Sequence, residues 1–369
     1  MLNRGHCTGE NAIVGAQSTQ SCPTTQAPIR ASCKIVLVLV SDGRKNGCLW
    51  SPQLVGGAAP DSPRTSSSLQ QQRSLNFSLD LPLRDLLYLP PIPRGHAREQ
   101  AMRLGIMYPN VLAKSLAEMG QMRDHGCGCL QMRPELLADA QLELTPQGKD
   151  AIQSLESQGV EIVAWCAYKP LIGEKDVVAA SVGHIKKAIR LAAQARAIST
   201  RADHAVVCSE SGNPASFKQF SSAELWRQVV RATREIAACA EEHDVLFAFE
   251  PTRSNILDSS KTTRKIIEEV GSRNIGVCFD PANIVGDKDT LEGAVDNLKH
   301  HVRLAHAKDV ILAPDGKPTY PPAGKGSLDY KRIFELLAPI PTCNHMIIEY
   351  VRTPEEALST IAFLKPFCE

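Results

Sequence analysis

The chain has 369 residues, of which 43% are hydrophobic, so it is long enough for one large domain with an extension or for two domains. Its 41 basic and 40 acidic residues leave a net charge of +1, which predicts no basic surface for nucleic acid or for an anionic membrane. No apolar run approaches the ~18 residues of a membrane-spanning helix, and the N-terminus lacks the apolar segment of a signal peptide.

Twelve cysteines in a chain of this length do not indicate a disulfide scaffold, which is typical of much shorter secreted chains. The pair Cys127 and Cys129 is interpreted as two alternate positions of one strand rather than as a metal or redox site. Free thiols in apolar runs behave as small hydrophobic side chains. Six cysteines fall in or beside such runs, namely Cys127, Cys129, Cys166, Cys208, Cys278 and Cys343. We therefore expect a soluble, cytoplasmic protein with reduced thiols.

Residues 1–100 differ in composition from the rest of the chain. They are rich in Ser, Gln, Pro and Thr, and residues 61–72 are of low complexity. Such a segment buries too little apolar surface to offset the entropy of ordering it, which predicts a largely disordered extension. A zinc module is disfavoured because the four cysteines of this segment show no C-x-x-C spacing. Residues 1–95 are expected to be dispensable for folding, unless the leucine-rich stretch Leu81–Leu89 covers the N-terminal end of the next domain.

From residue 101 to residue 369, short apolar runs alternate with amphipathic helical patterns. Such runs are typical of strands that are buried on both faces in a parallel sheet, with helices packed outside. Helix starts are marked by Thr145 before Pro146, by Ser221 and by Thr353. Eight strand–helix units predict a closed (β/α)8 TIM barrel, with strands at Leu104–Met107, Gly126–Met132, Val160–Trp165, His204–Cys208, Val245–Phe249, Ile275–Phe279, Val302–Ala305 and His345–Ile348.

Side chains that can bind a metal follow the last four predicted strands. One such residue alone is usually a helix cap or a solvated loop position. Four at the C-terminal ends of neighbouring strands would face one cavity, which is where a barrel of this kind carries its active site. Three carboxylates and one imidazole form an oxygen-rich set that suits Mn²⁺, Mg²⁺ or Co²⁺ better than a closed structural Zn²⁺. We therefore predict a site for one divalent metal ion, formed by Glu250, Asp280, His306 and Glu349.

Five segments resemble the xylose isomerase-like barrel superfamily, and especially its sugar phosphate isomerase/epimerase branch: FAFEP, CFDPAN, AHAKD, GKGSLDY and IIEYVRTPEEAL. The resemblance covers residues 103–369 and implies that the four residues just named are the metal ligands. It also implies that Glu250 and Glu349 are the catalytic acid/base pair. One would remove a proton beside a carbonyl, and the other would return a proton to the enediolate. The implied function is a divalent-metal-dependent isomerase or epimerase of a small sugar, sugar phosphate or related polyol.

The sequence departs from the ketose epimerases of this group at one position. They carry Asp-x-x-His on the sixth strand, whereas this chain carries Asp-Pro-Ala-Asn, ending at Asn283, and an amide cannot titrate. The predicted substrate-binding residues are Asn283, Lys308 and Glu210. Lys325 is a weaker candidate that is expected to be solvated. His184 lies on a helical face and is predicted to be structural.

Three alternative functions stay open at this stage. An inosose dehydratase-like lyase would use the same proton abstraction and then expel a hydroxyl group. An apurinic endonuclease-like repair enzyme shares the barrel, but the chain lacks the further histidines that a three-metal cluster needs, and its net charge does not favour DNA. A non-catalytic sugar-binding domain is disfavoured by the intact set of four ligands. We expect a small-molecule polyhydroxy substrate and no nucleic-acid or membrane partner, while the oligomeric state, a homo-oligomer included, stays open.

Overall fold

A computed structural model describes residues 102–109, 115–200, 205–284 and 289–368 of the chain. The predicted extension at residues 1–100, its four cysteines and the boundary at residue 100 lie outside the described residues. Residues 111–114, at the start of the helix expected after the first predicted strand, also lie outside the described residues, as does His204 at the start of the fourth predicted strand.

Eight parallel strands close into a barrel, with the last strand paired to the first. They are β1 (Arg103–Tyr108), β2 (Cys127–Met132), β3 (Glu161–Cys166), β4 (Val206–Ser209), β5 (Leu246–Phe249), β6 (Ile275–Phe279), β7 (Val302–Ala307) and β8 (His345–Ile348). Around the closed sheet the order is β1-β8-β7-β6-β5-β4-β3-β2. Each strand agrees with a predicted apolar run to within two residues at either end, so the predicted TIM barrel is confirmed.

The main helices that follow the strands are α1 (Gly120–Asp124), α2 (Pro146–Ser157), α3 (Lys175–Ile198), α4 (Ser222–Glu242), α5 (Ser260–Val270), α6 (Leu291–Leu298), α7 (Tyr330–Leu337) and α8 (Pro354–Leu364). A one-turn helix, Pro281–Ile284, directly follows β6. Thr145, Ser221 and Thr353 each accept a hydrogen bond from the backbone N–H three residues later, which confirms the predicted N-caps. Among the described residues, no helix combines the length and the apolarity needed to cross a membrane.

Side-chain alternation along the strands separates two apolar layers. On β5, Phe247 and Phe249 belong to the layer between sheet and helices, and their rings meet edge to face with centroids 5.0 Å apart. Ala248 belongs to the second layer, inside the barrel, with Cys129, Val163, Ala164, Val206, Cys208, Cys278, Leu304 and Ile347. The next inward position on each strand lies two residues later. On the last four strands those positions are Glu250, Asp280, His306 and Glu349.

The loop after β7 is held by Asp309, which is fully buried. Its carboxylate accepts three backbone hydrogen bonds of 2.9–3.0 Å, from Val310, Gly324 and Leu328. Between these anchors the chain forms a short hairpin of Ile311–Leu312 with Pro318–Thr319. A side chain at Gly326 would collide with the Asp309 carboxylate, which explains a glycine at that position. The loop is thereby fixed at the C-terminal end of the barrel.

Candidate active site

The structure brings the four predicted ligand residues together at the C-terminal end of the barrel. Asp280 and His306 are fully buried, and Glu250 and Glu349 are 7% and 8% exposed. One ligand atom from each residue lies within 4.8 Å of those of the other three. The convergence follows from the fold, because each residue occupies the inward position just above the interior apolar layer of its strand.

The ring of His306 shows where a cation would fit. Its Nδ1 is buried without a hydrogen-bond partner. The same atom lies 3.5 Å from Oε2 of Glu250 and 3.7 Å from Oε2 of Glu349. A buried nitrogen left without a donor or acceptor is costly in an apolar interior. Its position between two carboxylate oxygens therefore fits a metal-ligating role.

Lys308 lies inside the carboxylate cluster and is 3% exposed. Its ammonium nitrogen is 2.5 Å from Oδ2 of Asp280 and 2.5 Å from Oε1 of Glu349, and it is 3.8 Å from Oε1 of Glu250. Each glutamate thus turns one oxygen to His306 and the other to Lys308. The sequence placed Lys308 at the same strand end but did not predict that its charge is engaged by the proposed ligands.

The other predicted substrate contacts are distributed around this cluster. The Asn283 amide donates a 2.7 Å hydrogen bond to Oε1 of Glu250, so it supports that carboxylate directly. Glu210 is half-buried, lies outside the four-residue cluster and accepts a 3.1 Å hydrogen bond from Asn255. Lys325 is exposed, as expected. His184 lies on α3, 3.6 Å from a carboxylate oxygen of Glu135, away from the cluster.

The charges of the cluster shift the pKa values of its members in different directions. Burial opposes ionisation of Glu250, but the cations of His306 and Lys308 outweigh it and lower the pKa to about 2. Burial, aided by the carboxylates of Glu250 and Asp280, raises the pKa of Glu349 to about 7 in spite of the same cations. Burial disfavours the His306 imidazolium, yet Glu250 and Glu349 raise its pKa to about 10. The pKa of Lys308 also rises, because Asp280 and Glu349 outweigh its burial.

Four residues of the site were not identified from the sequence. Gln131 on β2 and Tyr168 after β3 contact His306 and Glu250, respectively. Above the cluster, the rings of Tyr320 and Tyr350 lie 5.3 Å and 4.7 Å from the Lys308 ammonium, and their centroids are 5.8 Å apart. Tyr350 directly follows Glu349, has a left-handed backbone with φ of 59°, and is 48% exposed. Of these four residues, only Gln131 could have been found from the sequence, because it is a polar residue at an inward position of an apolar run.

A second group of potential ligands, Glu250, Cys278 and His306, shares two members with the first. Burial raises the pKa of the Cys278 thiol well above its usual value, as does its hydrogen bond with Cys208. A neutral thiol is a poor metal ligand, because metals bind the thiolate. The set with three carboxylates is therefore the better candidate. Its oxygen-rich chemistry fits Mg²⁺, Mn²⁺ or Co²⁺.

Fold and site together define a (β/α)8 barrel with a candidate metal centre at its C-terminal end. The family model of the xylose isomerase-like TIM barrel matches residues 120–367, more than half of the chain, and the chain belongs to that family. The resemblance inferred from the sequence segments is thus confirmed. The comparison with curated proteins found no sequence match.

Several solved structures share the barrel at low sequence identity. The 3-keto-D-glucoside 4-epimerase of E. coli superposes with a TM-score of 0.57 at 14% identity, covering 72% of this chain and 99% of that chain. The IolI protein, solved with a bound zinc atom, gives 0.57 at 16% identity, covering 72% and 96%. The probable 3-DHS dehydratase of Bacillus anthracis gives 0.56 at 14% identity, covering 73% and 99%. Likeness at these identities establishes the fold.

Proposed function

We propose that the protein is a divalent-metal-dependent isomerase or epimerase of a small sugar, sugar phosphate or related polyol. One observation carries the proposal: Glu250 and Glu349 face the same His306 nitrogen at 3.5 Å and 3.7 Å, with pKa values shifted in opposite directions. Two carboxyl groups whose surroundings separate their pKa values are suited to be base and acid, respectively. Membership of the xylose isomerase-like family supports the same reaction class.

The donor set supports one divalent cation, with Mg²⁺, Mn²⁺ or Co²⁺ favoured over Zn²⁺. Glu250, Asp280, His306 and Glu349 would hold it. When bound, such a cation polarises a substrate carbonyl and makes the neighbouring C–H more acidic.

The two glutamates would then divide the proton transfer between them. Glu250 is ionised, and its oxygens accept hydrogen bonds from Tyr168 at 2.6 Å and Asn283 at 2.7 Å, which orient it as the base. In the metal-free protein the pKa of Glu349 is raised to about 7 while that of Glu250 is lowered, so Glu349 is the member of the pair that more readily carries a proton. Return of the proton to the opposite face of the same carbon is epimerisation. Return to the adjacent carbon, with transfer of the hydroxyl proton, is isomerisation.

The surroundings of the cluster support a small polyhydroxy substrate. Tyr320 and Tyr350 form an aromatic wall that would pack against the C–H face of a sugar, and Tyr350 is nearly half exposed. Polar contacts would come from Glu210, Lys308 and Asn283. The cysteines that the structure describes are all free thiols, which supports the proposed location in the reducing cytoplasm.

Proton exchange in D₂O tests the proposal. The full-length protein is loaded with Mg²⁺ and incubated with a panel of ketoses, inososes and sugar phosphates, and NMR follows the C–H beside the carbonyl. We expect deuterium at that carbon in at least one substrate without loss of water, and no exchange with EDTA or in the Glu250→Gln variant. Absence of exchange across the panel with Mg²⁺, Mn²⁺ and Co²⁺ would refute the proposal.

A dehydratase is the second candidate, and one observation favours it. The Glu349 carboxyl group, whose pKa is raised to about 7, lies 2.5 Å from the Lys308 ammonium, so a potential proton donor and a fixed cation lie together at one side of the cluster. Such a pair is suited to protonate a departing hydroxyl group after the same proton abstraction. Mass spectrometry of the same reactions separates the candidates, because a dehydratase product has lost one water and an isomer has not.

A further inference from the structure

Behind the candidate metal centre, side chains form a hydrogen-bonded chain from His306 to Glu250. Gln131 is fully buried, and its Oε1 lies 2.7 Å from Nε2 of His306. Its Nε2 lies 3.4 Å from the hydroxyl oxygen of Tyr168. That hydroxyl in turn lies 2.6 Å from Oε2 of Glu250. Two uncharged residues therefore connect two of the proposed ligands.

The direction of the donors in this chain follows from the acceptor at its end. An ionised carboxylate can only accept, so Tyr168 gives its single hydroxyl proton to Glu250. The Tyr168 oxygen is then free to accept from the amide NH₂ of Gln131, which leaves the amide oxygen of Gln131 facing His306. In the opposite orientation the amide oxygen of Gln131 would face Tyr168, and the single hydroxyl proton of Tyr168 would have to serve both Gln131 and Glu250. The short contact to Glu250 therefore fixes the orientation of the amide.

We propose that Gln131 and Tyr168 are positioning residues that keep a proton on Nε2 of His306 and so leave Nδ1 as the metal-ligating atom. An amide oxygen can only accept, so His306 donates to it through Nε2–H. Nδ1 is the ring nitrogen that faces Glu250 and Glu349 without a hydrogen-bond partner. Histidine ligands commonly donate their other ring N–H to a fixed acceptor, which sets both the tautomer and the ring orientation. The proposal rests on the proposed metal dependence, but the Nε2 proton can be observed without any metal.

Two substitutions of Gln131 separate positioning from packing. Gln131→Met keeps a side chain of similar length in the buried space but provides no oxygen acceptor for His306. Gln131→Glu keeps an oxygen acceptor at the same distance along the side chain but adds a buried charge. If Gln131 only fills space, the methionine variant should be the milder change. If it positions His306, the glutamate variant should be the milder one.

Calorimetric titration of the full-length protein with Mn²⁺ is the first test. We expect Gln131→Met to weaken Mn²⁺ binding by about 10–100-fold, the usual effect of removing the partner of a ligating histidine. Gln131→Glu should bind close to the wild-type affinity. Tyr168→Phe should weaken binding less than Gln131→Met, because it leaves the contact to His306 in place. Wild-type affinity in Gln131→Met, or weaker binding in Gln131→Glu than in Gln131→Met, would overturn the proposal.

A ring-nitrogen NMR spectrum of the wild-type protein is the second test, and it does not depend on the Gln131 and Tyr168 variants folding. Full-length protein is labelled with ¹⁵N-histidine, with and without Mg²⁺, and His306 is assigned from the signal missing in His306→Gln. We expect a protonated Nε2 in both states and, with Mg²⁺, a deprotonated Nδ1. A deprotonated Nε2 would overturn the proposal. If the wild type binds neither Mn²⁺ nor Mg²⁺, the proposed metal dependence fails, and the metal-free spectrum is recorded at a pH at which the ring keeps one proton. That proton on Nε2 would support the inference, and that proton on Nδ1 would overturn it.

Discussion

Replacing Lys308 with methionine should destabilise the metal-free protein strongly. The ammonium group is 2.5 Å from Asp280 and from Glu349 and 3.8 Å from Glu250, in a side chain that is 3% exposed. Methionine keeps most of the apolar stem but removes the charge, so three buried carboxylates are left with His306 as their nearest cation. Removal of one partner from a buried ion pair costs about 3–5 kcal/mol.

Thermal unfolding in EDTA measures this loss. At about 2 °C per kcal/mol for a domain of this size, the melting temperature of Lys308→Met should fall by roughly 6–10 °C. Lys325→Met is the matched control, because Lys325 is an exposed lysine in the loop after the same strand. Its melting temperature should stay at the wild-type value. Equal melting temperatures of the two variants would refute the argument that Lys308 neutralises the cluster.

Added metal should reduce the difference in melting temperature between Lys308→Met and the wild type. A cation at a hundredfold its dissociation constant stabilises the folded state by about 2.7 kcal/mol. It should bind more tightly to the variant, whose cluster is more negative by one charge. A difference in melting temperature that is the same with Mg²⁺ and with EDTA would show that Lys308 and the metal do not serve the same carboxylates.

Under the proposed roles, Glu250→Gln and Glu349→Gln should each lower turnover by about 10²–10⁴-fold, because each change removes a proposed ligand charge and a proposed proton acceptor. Half the wild-type rate of deuterium exchange in either variant would contradict its proposed role. Metal affinity should rise between about pH 6 and about pH 8, because Glu349 and His306 would lose protons on binding a metal and their pKa values are about 7 and about 10. Calorimetry in buffers of different ionisation enthalpy counts the protons released. The pKa of Glu349 is raised from 4.5 to about 7, so its contribution to the stability of the metal-free protein is complete below pH 4.5 and is lost as the pH rises through about 7. The melting temperature of the wild type should fall over that pH range, and Glu349→Gln should make this fall smaller. Tyr350→Gly should raise KM, because it removes one of the two rings of the proposed aromatic wall. It should not lower the melting temperature, because a non-glycine residue at φ of 59° carries strain of about 1–2 kcal/mol that glycine relieves, and a melting temperature lower by several degrees would argue against this.

The barrel and the four-residue cluster could be predicted because both depend on short-range pattern. A strand buried on both faces is a continuous apolar run, and the first polar residue after it marks the end of the strand. In a closed parallel barrel all such ends lie at one rim, so Glu250 and Glu349 were expected near each other although 99 positions separate them in the sequence. The topology supplied the long-range contact.

The supporting residues could not be predicted in the same way, since their contacts depend on side-chain direction. Lys308 lies two residues after His306 and shares its inward face, but the spacing does not say whether its charge meets carboxylates or solvent. Tyr168 reaches Glu250 across 82 positions from a loop, where alternation no longer applies. The left-handed backbone of Tyr350 had no signal, because it is neither glycine nor asparagine.

The surroundings of Glu250 and Glu349 explain how a chain with Asn283 in place of a histidine keeps two distinct carboxyl groups. Burial opposes ionisation of Glu250, but the His306 and Lys308 cations outweigh it. Two neutral donors also favour the ionised form, since the Asn283 amide donates to one oxygen and the Tyr168 hydroxyl donates to the other. Glu349 is buried and shares its neighbouring cation, Lys308, with Asp280, and its pKa rises instead. An amide at position 283 cannot compete for the proton that Glu250 would take. Asn283 therefore leaves the proposed proton transfer to the two glutamates. It also gives Glu250 a fixed hydrogen-bond donor that does not titrate.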